Sequence, residues 1–362
     1  MKKLLLSGTA LAAAGAVAGV AAPAQAQIEL GLGGYMWQYV GYANSDTNMG
    51  SDSDAFNGFD VKSNSEIFFV GSTTLDNGLK FGVNVQLEAN SNAADQIDES
   101  FLFVEGSFGR FNIGSENSAG YLMTYTAPNV GVGINSTGIL TGFLPQGGGT
   151  TAQFFRAPLG STYLEVDANN DSNKITYFTP RFSGFQFGAS YLPDPQQDSN
   201  SQVDEATVSY RDGFSLGANF VESFSGFDVA VSGRYDWAND ESAASTDPRV
   251  WSVGAQVGYA GFSVGGSYAD ADDMGANTGR SYHVGAAYET GPWGVSIGYF
   301  NGEADGSAAP GDDEYQAYEG AVAYALGPGI TAVGSVSYQD VEADNGNETE
   351  TWAVIGAFRL AF

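Results

Sequence analysis

Eleven lysines and arginines stand between residues 27 and 362, and the positions of several suggest a purpose. Lys174, Arg211 and Arg234 fall on or near the polar side of alternating segments, and Arg110 and Arg181 stand beside tight turns. A long polar stretch, 116–171, supplies Glu116, Glu165, Asp167 and Asp171. Carboxylates held across water from guanidinium groups set a transverse field that orients water and penalises apolar solutes. In a narrow, low-dielectric passage that field is screened less than at an open surface. Bond-making chemistry is poorly supplied. His283 is the sole histidine, set between Tyr282 and Val284, and cannot build a triad or a two-histidine metal site. There is no cysteine. Gly106-Ser-Phe-Gly109 lacks the strand-to-helix setting of a phosphate loop.

Positioning such charges falls to strands. Leu79–Glu88 puts Phe81, Val83, Val85 and Leu87 on one face and Asn84, Gln86 and Glu88 on the other. Phe227–Trp237 repeats the pattern, with Asp228, Ser232, Arg234 and Asp236 on the wet face, and so does Trp251–Tyr259. Further strands are predicted near Phe262–Tyr268, Tyr282–Tyr288, Trp293–Tyr299, Tyr318–Leu326 and Ile330–Tyr338. Short turns, such as Asp76-Asn77-Gly78, Ser183-Gly184 and Gly327-Pro328-Gly329, alternate with longer acidic loops. Seven turns and eight loops join about sixteen strands, an even number, as a closed antiparallel membrane barrel requires. Arg211-Asp212-Gly213 would break that parity as a hairpin and is read as a bulge in one long strand.

The closing segment Trp352-Ala-Val-Ile-Gly-Ala-Phe-Arg-Leu-Ala-Phe362 is an alternating strand ending on an aromatic, a poor edge for a soluble domain and a good one for a closed barrel. Phe358, Leu360 and Phe362 are the candidate C-terminal assembly signal. At the other end, Lys2-Lys3, an apolar run from Leu4 to Ala22 and Ala24-Gln-Ala26 read as an export signal cleaved after Ala26, the alternative being an N-terminal anchor. Without residues 1–26 the chain holds 11 bases against 42 acids, a net charge of −31, which disfavours nucleic acid as a partner. Aromatic residues at 13% and charged residues at 15% argue against disorder.

A stretch as long as 116–171 inside a compact fold is usually functional. A sixteen-stranded barrel leaves a lumen too wide for side chains to fill, so this loop is expected to fold inward. The alternative lays it over the mouth. Acidic loops elsewhere favour cations by focusing and supply candidate Ca²⁺ or Mg²⁺ ligands at Asp270, Asp272 and Asp273; solvated loop acid is the other reading. No other cofactor is expected.

The chain resembles the Gram-negative porins, especially trimeric general porins of the alphaproteobacterial type, across residues 27–362. The resemblance rests on Ile28-Glu-Leu-Gly-Leu-Gly-Gly-Tyr35, on Phe69 to Gly82, on Asp98 to Gly109 and most of all on Asn173-Lys-Ile-Thr-Tyr-Phe-Thr-Pro-Arg-Phe-Ser-Gly-Phe-Gln-Phe-Gly-Ala-Ser-Tyr191. It implies an all-β, homotrimeric barrel protein of the outer membrane, in contact with lipid and lipopolysaccharide, passing small hydrophilic solutes and ions through a pore narrowed by its third loop. The pattern is not complete. No Pro-Glu-Phe-Gly-Gly signature occurs in 116–171, and Glu66 stands near where enterobacterial relatives show a pore-wall arginine. Three other readings stay open: a substrate-specific channel for sugars or anions, an exported soluble adhesin or propeller, and a barrel enzyme, the last weakened by the single histidine.

Overall fold

Where apolar and polar residues alternate over ten or more positions, a strand can bond both neighbours while one face meets lipid and the other the interior. The computed structural model describes residues 28–48, 57–90, 96–135, 138–145, 149–166, 172–193, 210–240, 246–306 and 311–362; the predicted leader lies outside them, as do Asp167 and Asp171. The strands are β1 (Glu29–Thr47), β2 (Phe59–Thr74), β3 (Lys80–Glu88), β4 (Ile97–Gly106), β5 (Gly109–Ser115), β6 (Asn173–Phe178), β7 (Phe185–Leu192) and β8 (Tyr210–Phe224). They continue as β9 (Phe227–Asp240), β10 (Arg249–Tyr259), β11 (Phe262–Asp272), β12 (Gly279–Thr290), β13 (Trp293–Ala304), β14 (Asp313–Gly327), β15 (Ile330–Glu342) and β16 (Glu348–Ala361).

Each strand pairs antiparallel with its chain neighbours, and β1 pairs with β16, closing a sixteen-stranded barrel. The last residue completes the seam: Gly34 N–H donates to the Phe362 carbonyl at 3.0 Å, and Phe362 N–H returns the bond at 3.1 Å. Phe358, Leu360 and Phe362 point outward beside that seam. Hairpins such as Ser225-Gly226 and Ala260-Gly261 hold both central residues at positive φ, the primed turn whose twist suits adjoining strands. The register shifts between Arg211 and Phe214 within β8, with Asp212 at φ 48°, as the bulge reading expects.

Two aromatic belts ring the outer face. Near the loop end, Tyr282, Tyr299, Tyr318, Tyr338 and Trp352 follow one another with centroids 4.6–6.3 Å apart. Near the turn end stand the pairs Phe227/Tyr259, Phe262/Tyr288 and Trp293/Tyr324. Strands run beyond the upper belt, so several are longer than predicted: β14 begins at Asp313 rather than Tyr318, and β15 reaches Glu342 rather than Tyr338. Above the lipid the outward positions meet water, so the ladder continues after its apolar alternation has stopped.

Candidate functional site

The segment after β5 turns into the lumen. Ser118 caps the short helix α1 (Ala119–Met123) by accepting the Tyr121 N–H at 3.3 Å, and Thr124 leaves it in an extended conformation. From there the chain passes across the inner wall from strand to strand. A backbone there needs a partner for every N–H, and the wall provides serines. Ala119 N–H donates to Ser190 Oγ of β7, Gly120 to Ser215 of β8, Tyr125 to Ser232 of β9, Val130 to Ser296 of β13 and Val132 to Ser335 of β15, all at 2.8–3.1 Å. Gln256 of β10 donates to the Thr126 carbonyl at 2.8 Å, Glu319 of β14 accepts from Asn129 and Gly133, and Arg359 of β16 donates to the Gly131 carbonyl. Glycines let the two backbones approach: a Cβ at Gly254 would overlap the Tyr125 carbonyl oxygen, and one at Gly302 the Pro158 carbonyl oxygen.

The second part of the loop, including α2 (Gly138–Thr141), builds an apolar core inside the barrel. Val132, Ile134, Leu140, Phe143, Leu144 and Leu159 pack on Tyr39, Phe300, Ala317, Val333 and Ile355 of the inner wall. The expectation that inward faces meet water therefore fails from β13 round to β1, where the loop replaces water as solvent for the wall. Inward folding holds; a loop lying over the mouth does not.

Several predicted site charges meet at the root of this loop, buried rather than facing one another across water. Arg156 pairs with Glu165, which also accepts from Ser118 at 3.0 Å, and stacks over the Tyr121 ring at 4.2 Å. Lys174 donates to the carbonyls of Glu116 and Ser172. Arg234 and Asp236 form an ion pair with both side chains at 1% exposure or less. Glu116 accepts from Asn112 at 2.6 Å, and burial pushes its carboxyl up to about 7 against the pull of Asn112, Arg110 and Lys174. Because the folded state then holds a proton that the unfolded chain has released, this carboxyl stabilises the fold less as pH rises from about 4.5 to about 7. The unfolding temperature in detergent is expected to fall over that interval, and Glu116→Gln to flatten the slope; an unchanged slope refutes the assignment.

The other candidates are placed elsewhere. Arg110 bonds Asn112 at 2.7 Å over the Phe103 ring, and Arg181 bonds Gln186 and Asn219, both near the turn end. Arg211 is half-buried at the bulge. Asp273 is held by Arg249 at 3.0 Å, while Asp270 stands opposite Arg280 and Asp272 opposite Arg249 in the register, so each of these acids stands near a protein cation. Among the described residues, only Asp340, Glu348 and Glu350 bring three carboxylates within 4.8 Å. Sequence reasoning missed Arg156, the single base in its loop, and the serine seam, although both are written in the chain.

On the inner wall of β2 and β3 several polar positions receive no hydrogen bond from the loop, although Gln86 is buried against Glu99, which the loop's Asn117 also reaches. Asn64, Glu66, Asn84 and Glu88 make no hydrogen bond to the loop among the described residues, and the Lys62 ammonium lies over the loop's Phe143 ring, 4.8 Å from its centroid. Glu66 accepts from the Tyr35 hydroxyl and stands directly opposite Glu88 in the register. The profile of the Gram-negative porin family matches residues 10–345. The chain belongs to that family.

An outer membrane porin protein of Bordetella pertussis is 27% identical to this porin over 309 residues, 80% of this chain and 74% of that one. An uncharacterised Rickettsia prowazekii protein is 24% identical over a shorter stretch, 44% of this porin and 40% of the relative. Solved structures share the fold. The anion-selective porin of Comamonas acidovorans superposes with a TM-score of 0.61 at 18% identity, covering 93% of this porin and all of that chain. The trimer form of OmpT from Vibrio cholerae gives 0.59 at 12% identity, covering 92% and 99%. Family and fold together make this an outer-membrane channel protein, and they replace the soluble adhesin reading.

Proposed function

We propose that this porin passes small hydrophilic solutes and ions by passive diffusion, between the inward loop and the wall of β2 and β3, with a preference for cations. The observation that carries the ion preference is the facing pair Glu66 and Glu88 on that wall. Like charges directly opposite one another destabilise a sheet, so a local structural benefit does not explain them. Asp98 adds to the same local field. In planar bilayers under a salt gradient, the reversal potential is expected on the cation side, and the Glu66→Gln/Glu88→Gln double variant should move it most of the way to zero. Reversal on the anion side, as the Comamonas neighbour's name would suggest, refutes the reading. Saturable block by one sugar or anion class would favour the substrate-specific alternative.

We infer a homotrimer from wall height. β5, β6 and β7 have 7, 6 and 8 residues, whereas β8 to β16 have 11 to 15. Six residues reach about 20 Å along a strand, which after tilting falls short of an apolar band of about 25 Å. Phe111, Ile113, Ile175, Phe185 and Phe187 on this low side suit a protein neighbour, and the Vibrio trimer is consistent with one. Export by the predicted leader completes the proposal.

A further inference from the structure

His283 sits where three passes of the inward loop meet the wall, 2% exposed. Its Nδ1 lies 2.8 Å from Thr126 Oγ1 and 3.3 Å from Asn135 Nδ2. The Asn135 amide also donates to Thr126 Oγ1 at 3.0 Å and to Thr162 Oγ1 at 2.8 Å, while Asn135 Oδ1 accepts the Thr162 N–H at 2.7 Å. Ser267 of β11 joins both threonine hydroxyls at 2.7 Å. The hydroxyls can therefore run in one direction, Thr162 to Ser267 to Thr126 to Nδ1, a chain that ends on an acceptor. That assigns the ring proton to Nε2, which is buried and has no partner.

The surroundings carry no charge to receive an imidazolium. Ser267 of β11 and Phe300 of β13 stand opposite His283 in the register; Gly298 of β13 and the loop's Ile134 close the space beside the ring. On its own strand the inward neighbours are Ser281 and Gly285. The inward carboxylates on the surrounding strands are Glu319, opposite Gly298 and already held by Asn129 and Gly133, Asp313, held at the loop end of β14 by the Ala152 and Asp344 N–H groups, and Glu289, at the far turn end of β12; Asp270, Asp272, Glu303, Glu314 and Arg280 have the outward parity. Protonated at Nδ1, the ring would face the Asn135 amide donor to donor and force the hydroxyl chain to reverse, with a positive charge in a neutral pocket.

We propose that neutral His283 is the positioning residue that seats the inward loop, and that acidification unseats the loop through it. The inference rests on the channel reading and extends it to regulation. In single-channel recordings taken from about pH 7 to about pH 4, the wild type is expected to show a reversible change of conductance with added noise. His283→Asn, which keeps an acceptor oxygen and cannot take up the proton, should conduct like the wild type at neutral pH and stay unchanged in acid. Acid response retained in His283→Asn overturns the proposal and assigns the response to carboxylates such as Glu116. Should that variant fail to assemble, the sole histidine allows a second measurement on the wild type: in histidine-labelled protein in micelles, ring protonation must coincide with the conductance change, and a mismatch overturns the proposal. Absence of channels from the wild type at neutral pH would instead refute the channel reading itself.

Discussion

Replacing Gly254 by valine is expected to lift the loop off β10 while leaving the barrel closed. A β-carbon there overlaps the Tyr125 carbonyl oxygen and comes within 3.3 Å of Ser232 Oγ, so neither backbone can keep its place. The bonds lost with that contact are Tyr125 N–H to Ser232 and Gln256 to the Thr126 carbonyl, both 2.8 Å. Buried bonds left unmade cost about 1–3 kcal/mol each, and forced overpacking adds a similar amount. Loop seating should thus weaken by about 3 kcal/mol or more. The chain provides its own reporter. Arg156 is the only trypsin site in 116–171, and in the seated loop its side chain is 14% exposed and paired with Glu165. Cleavage of a locally opened segment follows the open population, so about 3 kcal/mol corresponds to roughly 100-fold faster cutting at Arg156. Cutting at the wild-type rate would mean that Gly254 is not needed for the close approach.

Which features the sequence revealed follows from which solvent each face meets. Hydrocarbon tolerates no unpaired backbone and few polar side chains, so outward positions such as Val229, Val231 and Tyr235 repeat strictly and expose the strand count. Loop lengths expose the alternation of connections between the two ends of the barrel, and Asp212 with its neighbours reads as a bulge because parity leaves no other place for it. The inner face obeys a looser rule. Among the described residues it takes no hydrogen bond from the loop at Asn64, Glu66, Asn84 and Glu88 but packs on the loop from β13 round to β1, and nothing local separates those cases in advance. Ala353, Ile355 and Ala357 are apolar on the parity opposite to Trp352 and Val354, so β16 is greasy on both sides, and only the folded loop explains why. The partners of the charges stay hidden for a related reason. Spacing shows that Glu116, Glu165 and Arg234 can approach the lumen; whether they span water or close on nearer partners depends on Arg156, Asn112 and Asp236, which tertiary folding brings in.

The loop and the barrel should melt as separate units, and Phe143 separates them. Its ring fills the space above Gly41, where a Cβ would lie 2.6 Å from the ring tip, beneath the Lys62 ammonium and inside the loop's apolar core. Phe143→Ala removes a buried aromatic, a change that costs about 3–5 kcal/mol in a protein core, toward the lower figure here because a loop edge can partly collapse. None of that ring belongs to the strand ladder. The barrel closes on backbone bonds between neighbouring strands, including the Gly34–Phe362 seam, and its outer belts rest on lipid. Trypsin should therefore cut Phe143→Ala at Arg156 about 100-fold faster than wild type, and single-channel conductance should rise as space opens beside β1 and β2, while the heat-induced unfolding of the barrel stays put. A barrel transition that drops with the loop's protection would show that the inner core holds the strands together, and the loop would then be a structural strut that happens to narrow the pore.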